Sequence, residues 1–322
     1  MTPTQLDSKQ IKAEALSLGF SAVGIAPSGC VDKEYSERYE RWIAAGHHAT
    51  MNYMEAHADL RANPSLLLDG CQSVVCVALS YFPQQPIPSD RYQLAYYAYG
   101  HDYHDVMRRK LSLLAEHIAA TVPANCNLMT RSCVDTAPLM ERYWAVRAGL
   151  GWVGRNHTLI LPRQGSFFFL GELLINQAVD IYDQPLADGH CGECHRCIDA
   201  CPGHALGTDG SFDCRRCLSY LTIENRQTFT PSETDLIRKS TPYYIYGCDR
   251  CQLACPHNHH PQPNTTPEFQ PSARLLSMTN DDWHHLTREQ YQELFRHSAV
   301  KRAKYEGLLR NIDAVARLAE PK

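Results

Sequence analysis

Cysteine spacing is the strongest chemical signal in this 322-residue chain, because nine of its fourteen cysteines fall between Cys191 and Cys255. The run Cys191-x2-Cys194-x2-Cys197-x3-Cys201-Pro202 has the intervals with which bacterial ferredoxins hold [4Fe–4S] clusters. Three closely spaced thiolates wrap one face of a cubane from a tight loop, and the fourth, ahead of proline, is carried toward a second cluster. A second run, Cys248-x2-Cys251-x3-Cys255-Pro256, repeats the last three cysteines of that pattern and lacks a local fourth. Paired reciprocally, one cube takes Cys191, Cys194, Cys197 and Cys255. The other takes Cys201, Cys248, Cys251 and one thiolate of Cys214-Arg-Arg-Cys217, with Cys217 favoured over Cys214 on spacing. Zinc is the alternative occupant, since Cys-x2-Cys pairs are its usual knuckles. It leaves the triple runs ending in Cys-Pro unexplained. Cys30, Cys71, Cys76, Cys126 and Cys133 stand in apolar or strand-like surroundings and read as structural thiols.

A second candidate is Asp135, in Arg131-Ser-Cys-Val-Asp-Thr-Ala-Pro-Leu-Met-Glu-Arg-Tyr-Trp144, where a strand gives way to a helix. A carboxylate there either caps the helix or, with its pKa raised toward neutrality under an apolar lid, donates a proton.

The elements that must position these groups alternate. Apolar periodicity predicts a helix over 5–18, strands over 21–26 and 73–82, and a helix over 102–121 that starts on Asp102. A strand over 127–134, a helix over 138–148 with proline in its first turn and Gly149 as its stop, and a strand over 167–176 follow. Together they predict a mixed α/β layer domain with one large core. Gly149-Leu-Gly151-Trp-Val-Gly154 has dinucleotide-loop spacing but follows a helix, so it reads as a helix-exit turn. A Pro/His/Asn-rich linker, 257–267, leads to a charged helical tail.

The net charge of −4 announces no global affinity for nucleic acid, although Arg108-Arg109-Lys110, Arg215-Arg216 and Lys301-Arg302 are local basic clusters. No basic start followed by an apolar run is present, and the greasiest stretch, 166–179, is too short to span a bilayer. A cytoplasmic protein without a membrane partner is expected.

Ser132-Cys-Val-Asp135, Arg147-Ala-Gly-Leu-Gly-Trp-Val-Gly154, Gly165-Ser-Phe-Phe-Phe-Leu-Gly-Glu172, Arg216-Cys-Leu-Ser-Tyr-Leu-Thr-Ile-Glu224 and Tyr246-Gly-Cys-Asp-Arg-Cys-Gln252 accompany the cysteine runs. With Met51-Asn-Tyr-Met54 and Tyr99-Gly-His-Asp-Tyr-His104, their order and intervals resemble those of the epoxyqueuosine reductases, to about residue 315. The resemblance implies an α+β fold: a nitroreductase-like α/β cobalamin-binding catalytic domain over 1–180, a ferredoxin-like domain with two [4Fe–4S] clusters over 181–260, and a linker with a short helical tail over 261–322. The tail would lack the helical repeats that many members carry.

The activity implied is cobalamin-dependent reduction of epoxyqueuosine to queuosine at the wobble position of a tRNA anticodon loop, the last step of queuosine biosynthesis. Its partners would be that tRNA and an external electron donor, and a monomer is expected. By the same resemblance Asp135 is the proton donor, and Arg61, His157, Ser219, Tyr246, Asp249 and Arg250 contact corrinoid or substrate. Asp102-Tyr-His104 is followed by Asp-Val-Met, not by the x-x-Gly of the cobalt-ligating histidine motif, so cobalt is expected to lack a protein histidine ligand. Two rivals share parts of this pattern. A plain two-cluster electron carrier would bind no corrinoid, and a reductive dehalogenase would act on an organohalide and typically carry a twin-arginine export signal, which is not visible. A tRNA-binding module without catalysis leaves eight cluster-spaced cysteines unexplained.

Overall fold

The strand Ser73–Ser80, Ser-Val-Val-Cys-Val-Ala-Leu-Ser, is apolar at nearly every position, which requires cover on both faces of its sheet. In the computed structural model, which describes residues 5–123, 125–187 and 189–316, it lies between Ala22–Pro27 and Phe168–Ile175, with Thr130–Cys133 beyond the latter. All three pairings are antiparallel, with Val75 opposite both Ile25 and Leu173. Successive side chains point to opposite faces. Val75, Val77 and Leu79 therefore enter a core with Ile11, Leu111 and Leu114, whereas Val74, Cys76 and Ala78 enter another with Trp144 and Leu174. The single large core expected from the sequence is thus divided by a two-sided sheet. Helices on an antiparallel sheet make the class α+β.

The helix Tyr103–Thr121 begins where expected, with the Asp102 carboxylate accepting from the His104 N–H. At Gly171 a Cβ would lie 2.8 Å from the Met107 side chain, so glycine lets this helix settle on the sheet. The helix expected over 138–148 is shorter, Glu141–Arg147, because a turn closed by Leu139 N–H on Ala137 C=O keeps Pro138 outside it. Gly149, at φ +73, ends it, and Gly151 then packs against the Ile160 carbonyl in the hairpin Trp152–Val153 with Leu159–Ile160. The helix Lys33–Ala44 was not anticipated, although Tyr35, Tyr39, Trp42 and Ile43 stand at helical spacing; Tyr35 and Trp42 pack half-buried against two cores, and no residue of the helix is fully buried.

A third core crosses the expected divisions at 180 and 260. It joins Leu94 and Tyr99 to Leu218, Ile245 and Tyr246 and to Trp283, Phe295, Leu308 and Ile312 of the tail. Asn311, fully buried, donates to the Thr222 and Ile245 carbonyls at 2.8 and 2.9 Å. The stretches 1–4 and 317–322 at the outer ends of the expected units lie outside the described residues. Trp283 is 1% exposed in this core. Trp283→Ala is expected to cost about 3–5 kcal/mol, read as a lower urea midpoint at unchanged slope. Among the described residues no helix is long and apolar enough to cross a membrane.

Candidate active site and cluster domain

Cys191, Cys194 and Cys197 line one cavity together with Cys255, although Cys255 lies 58 or more positions further along the sequence. The walls are Trp152, edge-on to His190 and His257, and Ile160, while Arg155 holds the loop by donating to the Gly192 carbonyl at 3.0 Å. Burial raises the Cys197 and Cys255 thiols, and neighbouring thiolates raise them further. A bound cation reverses that penalty, so the donor set suits a metal cluster.

The other group forms where the short helices Arg196–Asp199 and Arg250–Leu253 pack together, each followed by its Cys-Pro. Half-buried Cys251 stands within electrostatic reach of Cys248, Cys217 and Cys201, and Cys217 packs beside Cys201. Cys214 lies apart, 5% exposed among Tyr220, Leu221 and Trp42, its thiol pushed up to about 12 by burial first and by Cys217 second. The structure thus brings Cys217, and not Cys214, to the second group.

Asp135 follows the strand Thr130–Cys133 in a left-handed conformation, φ +47, a position uncommon for a residue with a side chain. Its backbone N–H donates to the Glu141 carboxylate, and Met140 occupies the helix N-cap, so Asp135 is not the cap. Its side chain turns the other way. One oxygen lies 3.1 Å from Nε2 of His104, whose Nδ1 is 2.6 Å from the Asp102 carboxylate. Tyr103 stands within electrostatic reach of Asp135 and stacks on Phe169 with ring centroids 4.3 Å apart.

This geometry overturns the expectation of an apolar lid. The Asp135 side chain is 56% exposed. Burial alone would raise its pKa, but the hydrogen bonds and charge of His104 outweigh burial and hold it below the ordinary value. Burial likewise disfavours the His104 cation, yet Asp102 and Asp135 together lift it to about 9. The neutral carboxyls lie behind the loop. Burial, then the Asp135 charge, pushes Glu141 to about 8, and burial raises fully enclosed Glu172 well above its usual range.

The other candidates are scattered around this centre. His157, at φ +60, lies 5.3 Å from the Phe212 ring, with Nε2 buried and unpartnered. Burial, then Arg142, lowers it to about 4, so it is neutral. Arg61 donates to the Tyr53 carbonyl at 3.0 Å. Half-buried Ser219 sits in the helix Leu218–Ile223. Tyr246 is wholly buried, donating to the Ala299 carbonyl at 2.6 Å and accepting from the Tyr97 hydroxyl at 3.2 Å. Asp249, 1% exposed, accepts from the Tyr96 N–H at 2.7 Å, and Arg250 donates to the Ala200 carbonyl at 3.3 Å, beside Cys201 and Cys251 in sequence. The last three serve the interior with the polar atoms named. Trp144 Nε1, Asn156 Nδ2 and both Glu172 oxygens are also buried without partners. Buried polar atoms are normally paired, so the unpartnered His157 nitrogen fits a polar group seated beside it.

Residues 61–136 match the family model "Epoxyqueuosine reductase QueG, DUF1730", and residues 190–258 match the "4Fe-4S double cluster binding domain". Epoxyqueuosine reductase of Leadbetterella byssophila is 43% identical over 95% of this chain and 97% of its own, and that of Cellulophaga algicola is 39% identical over 97% and 99%.

The chain belongs to the epoxyqueuosine reductase family.

An epoxyqueuosine reductase in a crystal structure with an epoxyqueuosine-modified tRNA-Tyr stem loop superposes with a TM-score of 0.84 at 27% identity, over 95% of this chain and 80% of that one. As a member of the epoxyqueuosine reductases, the chain is an oxidoreductase with a double [4Fe–4S] domain. Within this epoxyqueuosine reductase fold, the sequence reading missed what His104 and Glu141 do beside Asp135. Only the Asp-x-His spacing at a helix start signalled His104, since a cap carboxylate reaches the ring two residues on.

Proposed function

We propose that the chain reduces the epoxide of epoxyqueuosine in a tRNA anticodon loop to the alkene of queuosine, with cobalamin as cofactor and electrons delivered through two [4Fe–4S] clusters. Bound cobalamin would supply low-potential two-electron reduction of the strained C–O bond. The single observation that carries the reading is the placement of eight thiols in two groups within a fold that leaves the Asp135 side chain exposed. By their chemistry, Cys191, Cys194, Cys197 and Cys255 would hold one cluster, and Cys201, Cys217, Cys248 and Cys251 the other. His157, with an unpartnered ring nitrogen, would meet the polar periphery of the corrinoid.

Asp135 has the position for acid work. Opening the epoxide leaves negative charge on oxygen, and a carboxyl on an exposed loop reaches that oxygen without burying itself. Reduction of the epoxide to an alkene releases oxygen as water, so two electrons and two protons are consumed. The cytoplasm, where tRNA and reductants meet, is the compartment this chemistry needs, and a monomer reduced by an external one-electron donor is sufficient for it.

At the rim, Tyr53 is 47% exposed, with Arg302 over its ring at 5.7 Å and Asp135 within electrostatic reach. Glu224 holds Arg302 in a two-point pair at 2.9 Å, which fixes the guanidinium without hiding it. An exposed aromatic beside a fixed cation suits an unstacked base and its phosphate. Arg302→Ala is expected to weaken tRNA binding and to flatten the slope of log affinity against log salt by roughly 0.7 to 1, measured by filter binding across a salt series.

The decisive experiment is turnover of epoxyqueuosine-containing tRNA by reduced, cobalamin-loaded protein, followed by nucleoside mass spectrometry. Queuosine formation is expected. Failure to form it with both clusters and corrinoid present would refute the proposal.

A further inference from the structure

The exposed Asp135 carboxylate is paired with an imidazole, which raises the question of where its proton comes from. Asp102, His104 and Asp135 form a continuous chain: carboxylate to Nδ1 at 2.6 Å, then Nε2 to carboxylate at 3.1 Å. The ring is held in register by stacking on Tyr103 at 4.2 Å, and Tyr103 is itself stacked on Phe169. His104 is mostly enclosed, with 19% of its side chain exposed, while Asp135 is open, so the carboxylate stands between imidazole and solvent.

From this geometry we infer that His104 is the proton source behind Asp135, passing protons through it to the oxygen leaving the epoxide. The inference rests on the proposed function. In each passage the Nε2–H bond breaks, the Asp135 carboxyl is protonated and gives its proton to the alkoxide, and neutral His104 recovers a proton from solvent. Two passages supply the two protons that accompany the two electrons from the external reductant, and the oxygen departs as water. His104 acts through Asp135 and is therefore a positioning and relay residue, not one that touches substrate.

The charges around the ring favour this role. Asp102 and Asp135 face it directly, Glu141 lies beyond Asp135, Tyr103 adjoins it, Arg108 acts on Asp102, and Arg302 acts on Asp135 from the tail. The two carboxylates outweigh burial, so the ring stays protonated until pH rises through about 9. An ordinary histidine has lost most of its charge by pH 7.5.

Two measurements on the holoenzyme test the relay. The first uses diethyl pyrocarbonate, which acylates only neutral imidazole, with the His104 peptide quantified by mass spectrometry across pH. A midpoint near 9 is expected in the wild type, falling by about one pH unit or more in Asp102→Asn, a tenfold change in neutral fraction at intermediate pH. A wild-type midpoint near 6.5 would overturn the relay, whether or not the enzyme is active. The second is single-turnover reduction of epoxyqueuosine-containing tRNA against pH. His104→Gln is expected to lose about 100-fold, and Asp102→Asn to move the high-pH limb downward. If wild type reduces the tRNA while His104→Gln matches it with the same limb, the relay falls and the proposed function stands. Wild type inert toward that tRNA would instead bring down the function, and the relay with it. A His104→Gln protein that does not fold leaves the decision with Asp102→Asn, where an unmoved limb overturns the relay.

Discussion

Asp135→Asn is expected to lower single-turnover reduction of epoxyqueuosine-containing tRNA by about 10²–10⁴-fold, the range over which a positioned acid contributes. Asparagine keeps the shape and the left-handed φ that Asn tolerates well, so the loop should retain its path. It cannot carry the proton. The cluster absorbance, corrinoid content and tRNA affinity should remain, because the eight thiols and the basic rim lie on other elements. Activity within threefold of wild type would remove Asp135 from the chemistry. The pairing with His104 also sets the direction of a secondary effect. Losing one of its two carboxylates lowers the proton affinity of His104, so its titration midpoint should fall from about 9 toward the ordinary value.

The second large effect separates two cysteines that the sequence could only rank. Cys217→Ser is expected to remove a ligand of the second cluster, leaving about half the iron of the double-cluster domain and abolishing turnover. Cys214→Ser should keep both clusters, since Cys214 sits among Tyr220, Leu221 and Trp42 while Cys217 faces Cys201, Cys248 and Cys251. Its cost is that of placing a hydroxyl where a buried thiol packed, about 1–3 kcal/mol, visible in thermal melting and not in iron analysis. Equal iron loss in both variants would overturn the assignment. Both proteins can be compared as isolated, before any corrinoid is added.

Local patterns proved most legible where the physics is local. The Asp102 cap, the apolar strand Ser73–Ser80 and the cysteine intervals are all set by neighbours within a few residues. The helix Lys33–Ala44 carries its apolar residues, Tyr35, Tyr39, Trp42 and Ile43, among so many charged ones that its stripe is easily passed over, and it buries none of them fully. The place of Tyr246 and Asp249 was hidden for the opposite reason: their partners, Ala299, Tyr97 and Tyr96, come from segments distant in sequence. The tail reads as a charged appendage, yet Trp283, Phe295 and Leu308 close a core with Leu94 and Ile245.

The sequence by itself determined the two cysteine runs and hence a double [4Fe–4S] domain, together with the strand-to-helix junction that carries Asp135. It also carried the motif order that placed the chain among epoxyqueuosine reductases. Tertiary structure alone decided the protonation around Asp135. A carboxyl at that junction would titrate high under an apolar lid and low beside a cation, and only the fold brings His104, 31 residues away, to 3.1 Å. Charge interactions depend on distance and dielectric in space, and spacing along the chain fixes neither.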